Sequence, residues 1–403
     1  MPSVPGAAVL GTAAGALGRQ VRRIRTPYPE LHAPGGWAHT AGEAFTLSTS
    51  DGVDLHVEVD APEAQSRGRR RLSSPAPTVV LVHGFALTMQ SWVLQRRALV
   101  QQGFRVVTYD QRGHGRSAHP RLASCTVERL GQDLEEVLAA TCRTGPVVLV
   151  GHSMGGMSVM SYAAHHPDVV RDRVLAVGLV ATSSGGAEVT QLGLGPMVGK
   201  VVGTVGPGVL TRLSRHAGPI GMVRKAGKGV QDVVVARWAF DSPVSPALVD
   251  LVADMIFGTT FDVMAAFLPD INGLDLVPGL DALTGVETLV MNGTGDLITP
   301  ASHSEDIVRH VPGAEHVVVE DAGHIIMLEH PDLVTEQLLL MIGRAQRAVA
   351  EGVDLASKPR VRRTVKDMST PRRAARAKRD AKAARTPGPG EGSGPTRRRK
   401  TAS

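Results

Sequence analysis

The sequence predicts an α/β fold, a doubly wound, mostly parallel sheet with an inserted helical lid. Three observations carry that expectation. Short apolar runs, Thr78 to Val82, Val147 to Val150, Val174 to Val180 and Glu287 to Met291, read as strands buried on both faces. Segments of helical period alternate with them, and strands alternating with helices of about ten to fifteen residues require parallel crossovers. The alternation lapses from about residue 185 to 285 and then resumes, as expected for an insert above one end of a continuous sheet.

From the amino terminus, residues 1–43 form an extension. Phe45 to Ser50 and Val53 to Asp60, separated by Asp51-Gly52, read as a hairpin that opens the first part of the core, residues 44–184. Residues 61–77, with Arg67, Arg69, Arg70 and Arg71, interrupt the pattern as a loop. The strand Thr78 to Val82 runs into His83-Gly84-Phe85, and a helix around Ser91 to Gln102 stops at Gly103. Phe104 to Tyr109 is a strand, followed by the glycine-rich turn Asp110 to Ser117. Val127, Leu130, Leu134, Val137 and Leu138 fall at helical spacing with acids between them, so this helix packs on the sheet.

The insert, residues 185–285, has a glycine-studded start (Gly193 to Gly208) and helical patterns around Val230 to Phe240 and Pro246 to Phe267. It is too long for a loop and reads as a lid over the strand ends. The core's second part, residues 286–350, carries strand Glu287 to Met291, helix Ser302 to His310, strand His316 to Val319 and helix Pro331 to Ala348. Residues 351–403 form a basic tail, with disorder expected from 358 because large apolar residues are too few to offset the ordering entropy.

The formal charge of +6 averages two unlike parts. Residues 358–403 hold 16 Lys or Arg against 3 Asp or Glu, which leaves 28 basic and 35 acidic residues in 1–357. The body is therefore mildly acidic, and the basic character belongs to the tail. Cys125 and Cys142 flank a predicted helix that would hold them roughly 25 Å apart, beyond disulfide reach. Free thiols and a reducing, cytoplasmic setting are the expectation. The uncharged segment 1–18 precedes its arginines, unlike a secretory signal, and contact with a membrane would be peripheral at most.

The chemistry centres on Gly151-His152-Ser153-Met154-Gly155-Gly156, between an apolar strand and a helix. Glycines two residues either side of Ser153 permit a sharp turn that exposes its hydroxyl above the sheet. A serine nucleophile needs a base, and the base needs a carboxylate to fix its tautomer. His324, in Asp321-Ala322-Gly323-His324, follows a predicted strand and so lies at the same sheet end. His83 and His152 fit backbone packing better, and His165 and His166 close a helix. Asp296, after the strand Glu287 to Met291, is the candidate acid; Ala181-Thr182-Ser183-Ser184 has no carboxylate, and Asp321 reads as a turn residue. For the oxyanion, the amide of Met154 is one candidate donor and the amide of Phe85 the simplest second.

Together, His83-Gly84-Phe85, Tyr109-Asp110-Gln111-Arg112-Gly113-His114-Gly115-Arg116-Ser117, Gly151 to Gly156, Gly295-Asp296 followed by Thr299-Pro300, and Gly323-His324 resemble the α/β-hydrolase superfamily. The likeness spans roughly residues 44–350 and points to its lidded esterase, lipase and haloperoxidase-like branch. The resemblance implies an α/β-hydrolase fold and the order Ser153, Asp296, His324. Serine at 153 disfavours epoxide hydrolases and haloalkane dehalogenases, which use aspartate there. The expected function is hydrolysis of carboxylic esters of a small, lipophilic molecule through an acyl-enzyme. A carbon–carbon bond hydrolase, lactonase or thioesterase on the same triad is the alternative, and a non-catalytic ligand-binding protein is the alternative of another class.

Trp238, Phe240, Met255, Phe257, Phe261, Met264 and Phe267 concentrate in the insert, which suits either an apolar acyl pocket or ordinary lid packing. No His-Glu-x-x-His or paired-cysteine pattern occurs, and Gly199-Lys200 and Gly227-Lys228 lack the rest of a phosphate loop, so no metal and no cofactor are expected. The tail's charge would support weak, nonspecific contact with nucleic acid or anionic surfaces; a solvating extension is the simpler reading.

Overall fold

A computed structural model of the chain describes residues 37–62, 76–185 and 228–367. The segment 1–18, the Arg67 to Arg71 loop, the Gly193 to Gly208 stretch and the tail beyond residue 367 lie outside the described residues. The strands are β1 (Glu43–Ser48), β2 (Asp54–Asp60), β3 (Thr78–Val82), β4 (Arg105–Tyr109), β5 (Val147–His152), β6 (Val174–Val180), β7 (Glu287–Gly293), β8 (Glu315–Val319) and β9 (Val361–Val365). They form one sheet in the order β1-β2-β4-β3-β5-β6-β7-β8-β9. The pairs β1/β2 and β2/β4 are antiparallel, and every pair from β4/β3 to β8/β9 is parallel.

Alternate side chains of the central strands feed two separate cores, as the two-residue period of a strand requires. Val79, Leu81, Val148 and Val150 pack with α1 (Val93–Gln101) and α11 (Pro331–Glu351). Val80, Val82, Leu149 and Val177 pack with α2 (Val127–Thr141) and α3 (Met154–His165) on the other face. Thr126 caps α2 by accepting the Arg129 amide at 3.2 Å, which sets where the helix starts. Each of these buried aliphatic side chains contributes about 1.5–3 kcal/mol. The short α4 (Pro167–Arg173) leads into β6, and α9 (Ala301–His310) and α10 (Ile326–Glu329) follow β7 and β8.

The insert contributes α5 (Lys228–Ala239), α6 (Pro246–Gly258), α7 (Phe261–Asn272) and α8 (Val277–Asp281). It straddles the sheet. Ala239, Phe240, Leu248 and Val252 join the α1/α11 core, whereas Val263, Phe267, Ile271 and Leu280 join the α2/α3 core. The helical pattern expected over Pro246 to Phe267 is two helices, bent by 87°. Thr259 and Thr260 are extended between them, with ψ of 134° and 146°, and β-branched residues with competing hydroxyls terminate helices readily. Among the described residues no single helix is long and apolar enough to cross a membrane. Cys125 and Cys142 are buried free thiols.

One expectation is corrected. Disorder was expected from residue 358, yet residues 361–365 form β9, paired in parallel with β8 from Glu315↔Val361 to Val319↔Val365. The stabilisation is not apolar. The strand completes an otherwise unpaired edge, Lys358 reaches Glu287 at 3.1 Å, Arg362 reaches Glu305 at 3.1 Å, and Arg363 pairs with Glu315. A count of large apolar residues misses order that comes from a ladder and charge pairs.

Candidate active site

Four non-glycine residues among those described have positive φ: Ala86, Ser153, Ala181 and Asp321. Each follows the carboxyl end of a strand, β3, β5, β6 and β8 respectively. Such backbone costs on the order of 1–3 kcal/mol per residue and persists only where the surroundings enforce it. It concentrates at one end of this sheet.

Ser153, with φ 52° and ψ −122°, joins β5 directly to α3. Its turn is tight on both sides: an added Cβ would lie 2.5 Å from the Gly156 nitrogen at Gly151, and 2.5 Å from the His83 oxygen at Gly155. The Ser153 amide donates to Val180 O at 3.0 Å, and Thr182 Oγ1 donates to Ser153 O at 2.7 Å, so the strained residue is fixed from β6.

His324 and Asp296 meet across the ends of β8 and β7. The His324 Nδ1–H donates to Asp296 Oδ2 at 3.0 Å, and because a carboxylate only accepts, this tautomer leaves the Nε2 lone pair unused. Asp296 is fully engaged. Its Oδ1 accepts the amides of Ile298 and Thr299 at 2.8 and 2.9 Å, and its Oδ2 accepts the Thr299 hydroxyl at 2.8 Å. Burial alone would push this carboxyl up, but the charge and hydrogen bond of His324 with the Thr299 donors outweigh it and hold Asp296 below the usual carboxylate range. His152 Nε2–H donates to His324 O at 2.9 Å, tying the backbone of residue 324 to the residue beside Ser153, and the two rings lie 4.8 Å apart.

The loop after β3 is fixed from the Asp110 to Ser117 turn. The Gln111 amide donates to His83 Nε2 at 2.8 Å, while His83 Nδ1–H donates to Gly84 O at 2.8 Å. The Ala86 amide donates to His114 Nε2 at 3.1 Å, and His114 Nδ1–H donates to Arg112 O at 2.9 Å. Burial holds His83 down to about 4 and His114 to about 3, so both imidazoles are neutral and can accept an amide. An added Cβ on Gly84 would lie 3.1 Å from Ser153 Cβ, which measures how closely this loop approaches the serine. The amides of Phe85 and Met154 make no protein hydrogen bond among the described residues.

The chain matches the model of the alpha/beta hydrolase family over residues 79–337. It belongs to the α/β-hydrolase family. It is 28% identical over 260 residues to the sn-1-specific diacylglycerol lipase ABHD11 of Mus musculus, covering 63% of this chain and 77% of the lipase. It is also 28% identical over 276 residues to a non-heme haloperoxidase of Rhodococcus erythropolis, covering 66% of this chain and 91% of that protein. Among solved structures, the enol-lactonase from Burkholderia xenovorans LB400 superposes with a TM-score of 0.57 at 25% identity, over 74% of this chain and 100% of the lactonase.

The structure of this α/β hydrolase brings Ser153, Met154, His324, Asp296 and the Phe85 loop to one end of the sheet. His83 and His152 bond to backbone groups. Gln111, His114, Thr299, Glu329 and His330 take up positions that the sequence pattern alone does not assign. Gln111 and His114 stand in the glycine-rich turn Asp110 to Ser117, and Thr299 is three residues from Asp296, so their proximity to the strand ends is visible in the sequence. Their targets were not, because each bonds to backbone or to a partner that only folding supplies.

Proposed function

We propose that the protein is a serine hydrolase of carboxylic esters, with Ser153 as nucleophile, His324 as base and Asp296 as the carboxylate that orients it. The observation that carries this reading is the strained Ser153 between β5 and α3 at the sheet end where His324 donates to Asp296. Ser153 Oγ attacks the ester carbonyl while its proton passes to His324 Nε2, and Asp296 stabilises the resulting imidazolium. The oxyanion takes hydrogen bonds from the amides of Met154 and Phe85. His324 returns the proton to the leaving alcohol, the acyl group stays on Ser153, and water deprotonated by His324 then releases the acid.

The apolar character of the substrate is part of the same reading. Phe85 is half-buried 6.3 Å from the His114 ring, and Phe267 of the insert lies 5.9 Å from it, so aromatic surface flanks the oxyanion loop. Phe240 and Phe267 also pack in the two cores, which assigns part of the insert's aromatic content to holding it down. The insert serves as the lid, and its less buried Trp238, Phe257 and Phe261 are the candidates for an acyl wall. The two free thiols favour a reducing, cytoplasmic setting.

Ser153→Ala tests the assignment. It should lower turnover by on the order of 10⁶-fold and remove all labelling by a fluorophosphonate. The measurement is a panel of p-nitrophenyl esters of increasing acyl length, a lactone, a thioester and a diketone, each against the variant. Retained turnover in Ser153→Ala would falsify the reading, and activity on the diketone alone would move it to carbon–carbon bond hydrolysis.

A further inference from the structure

The carboxyl end of α5 is pressed onto the loop that carries His324. The Ile325 amide donates to Ala239 O at 2.9 Å, and an added Cβ on Gly323 would lie only 2.7 Å from Phe240 Cα. Glu329, at the end of α10, reaches back into this junction with its side chain wholly buried. Its Oε2 accepts the Gly323 amide at 2.6 Å, and its Oε1 accepts the Asp241 amide at 3.1 Å and the Ser242 amide beside it. One carboxylate thus holds three backbone donors from two segments distant in sequence, two from the insert and one from the residue preceding His324.

The next residue braces the same loop from the other side. His330 Nδ1–H donates to Asp367 at 3.0 Å, and His330 Nε2–H donates to Asp321 O at 3.0 Å. Both ring nitrogens face acceptors, which is the arrangement of an imidazolium, and the ring lies 4.0 Å from Glu329. Burial would lower His330, but the Asp367 hydrogen bond and the Glu329 charge raise it. Burial pushes Glu329 up, against the His330 charge and the donors around it. Asp321, one of the four strained residues, is therefore gripped at its carbonyl, and Asp367 lies just beyond β9. The loop is held at Asp321, Gly323 and Ile325 while Asp296 and His152 hold residue 324 itself.

A buried ion pair is a poor source of stability, since desolvation offsets its Coulomb attraction and apolar packing often does better. Fixing three amides at one point is something apolar packing cannot do. We propose that Glu329 is a positioning residue for the hydrolytic reaction, stapling the segment that follows α5, at Asp241 and Ser242, to the base loop while the His330–Asp367 pair braces that loop from just beyond β9. The seating of the insert and the aim of His324 are then set together, and Asp367 in the basic tail belongs to the machinery that aims it. This rests on Ser153 and His324 acting as nucleophile and base.

The test uses the full chain, comparing wild type, Glu329→Gln and Asp367→Ala. Glutamine keeps the shape but offers one carbonyl oxygen, so its NH₂ must face either Gly323 N–H or the two insert amides, donor against donor. Misaiming a catalytic group by about 1 Å costs on the order of 10²-fold. Glu329→Gln should lose about that much in kcat on p-nitrophenyl butyrate and in the rate of Ser153 labelling by a fluorophosphonate, with KM changed by less than about threefold. The downfield proton resonance of His324 Nδ1–H should shift or broaden. Asp367→Ala should lose about tenfold, because Glu329 still holds the loop. Folded Glu329→Gln labelling at the wild-type rate overturns the proposal, as does a loss that only tracks the folded fraction by thermal melting. If Glu329→Gln does not fold, Asp367→Ala decides, and labelling at the wild-type rate overturns the proposal. Wild type that is not labelled at Ser153 overturns the serine hydrolase reading instead.

Discussion

The loop after β3 and the loop after β8 flank Ser153 from opposite sides of β5, and different chemistry holds each in place. On the β3 side, His83 and His114 are wholly buried and neutral, each accepting one amide and donating to one carbonyl. On the β8 side, Asp296, Glu329, His330 and Asp367 hold the loop through charge-assisted hydrogen bonds. In the proposed mechanism, a backbone donor that meets an oxyanion has to stay where it is regardless of charge, and neutral imidazoles fix it without adding a field. In the same mechanism, a base that becomes an imidazolium needs carboxylates nearby, and charge there is stabilising. The two sides should therefore respond differently to charge removal and to pH.

The largest expected effect is on the charged side. Asp296→Asn keeps the shape but removes the charge and lets the side chain NH₂ face Nδ1, which selects the wrong tautomer of His324. Turnover should fall by about 10⁴-fold at pH 7. A loss below about tenfold in steady-state kinetics would show that the carboxylate is another structural acceptor and that the two loops do not differ in this way.

The neutral side should show itself in stability against pH. An imidazole held at about 3 to 4 in the folded protein takes its proton more readily when unfolded, where its value is near 6.5. Between those values the unfolded state binds more protons, so stability rises with pH and falls on acidification. The slope is about 1.4 kcal/mol per pH unit for each of His83, His114 and His152. His330 has the opposite sign: its raised value contributes stability that is fully present below about pH 6.5 and lost as pH rises through the folded value. Urea unfolding from pH 4 to 7 should follow the majority and show a loss toward acid. His114→Gln, which keeps an acceptor for Ala86 without a titrating ring, should flatten the slope by about one proton. An unchanged slope would mean that His114 is not held neutral.

The smallest effect concerns Thr299, whose hydroxyl donates to Asp296 at 2.8 Å. Thr299→Val leaves the two amides on the other carboxylate oxygen, so turnover should drop by only about threefold to tenfold. A drop as large as that of Asp296→Asn would show that the hydroxyl, rather than the amides, sets the carboxylate's position.

Much of the fold was legible in the sequence. Val79 and Val80 read as neighbours in one apolar run, and their separation into two cores follows from strand period alone. That Ser153, Asp296 and His324 lie at one end of the sheet was legible because strand ends are written locally, by a glycine-flanked serine and by polar residues that follow apolar runs. The Glu329 staple was not, because its three partners are backbone amides and any residue type supplies those. β9 escaped for a related reason: Val361 to Val365 has little to bury, and its order comes from Glu287 and Glu315, more than forty residues away.

The alternation of strands and helices, the end of the sheet at which polar residues gather, and the serine, histidine and aspartate there can all be read along the chain. These are local properties, set by side-chain period and by what a tight turn tolerates. Which carboxylate meets which imidazole, how the insert divides between two cores, and that residues 361–365 form the edge strand emerge only on folding. Those depend on the register between segments far apart in the chain, and a buried hydrogen bond exists only once both partners have been brought out of water together.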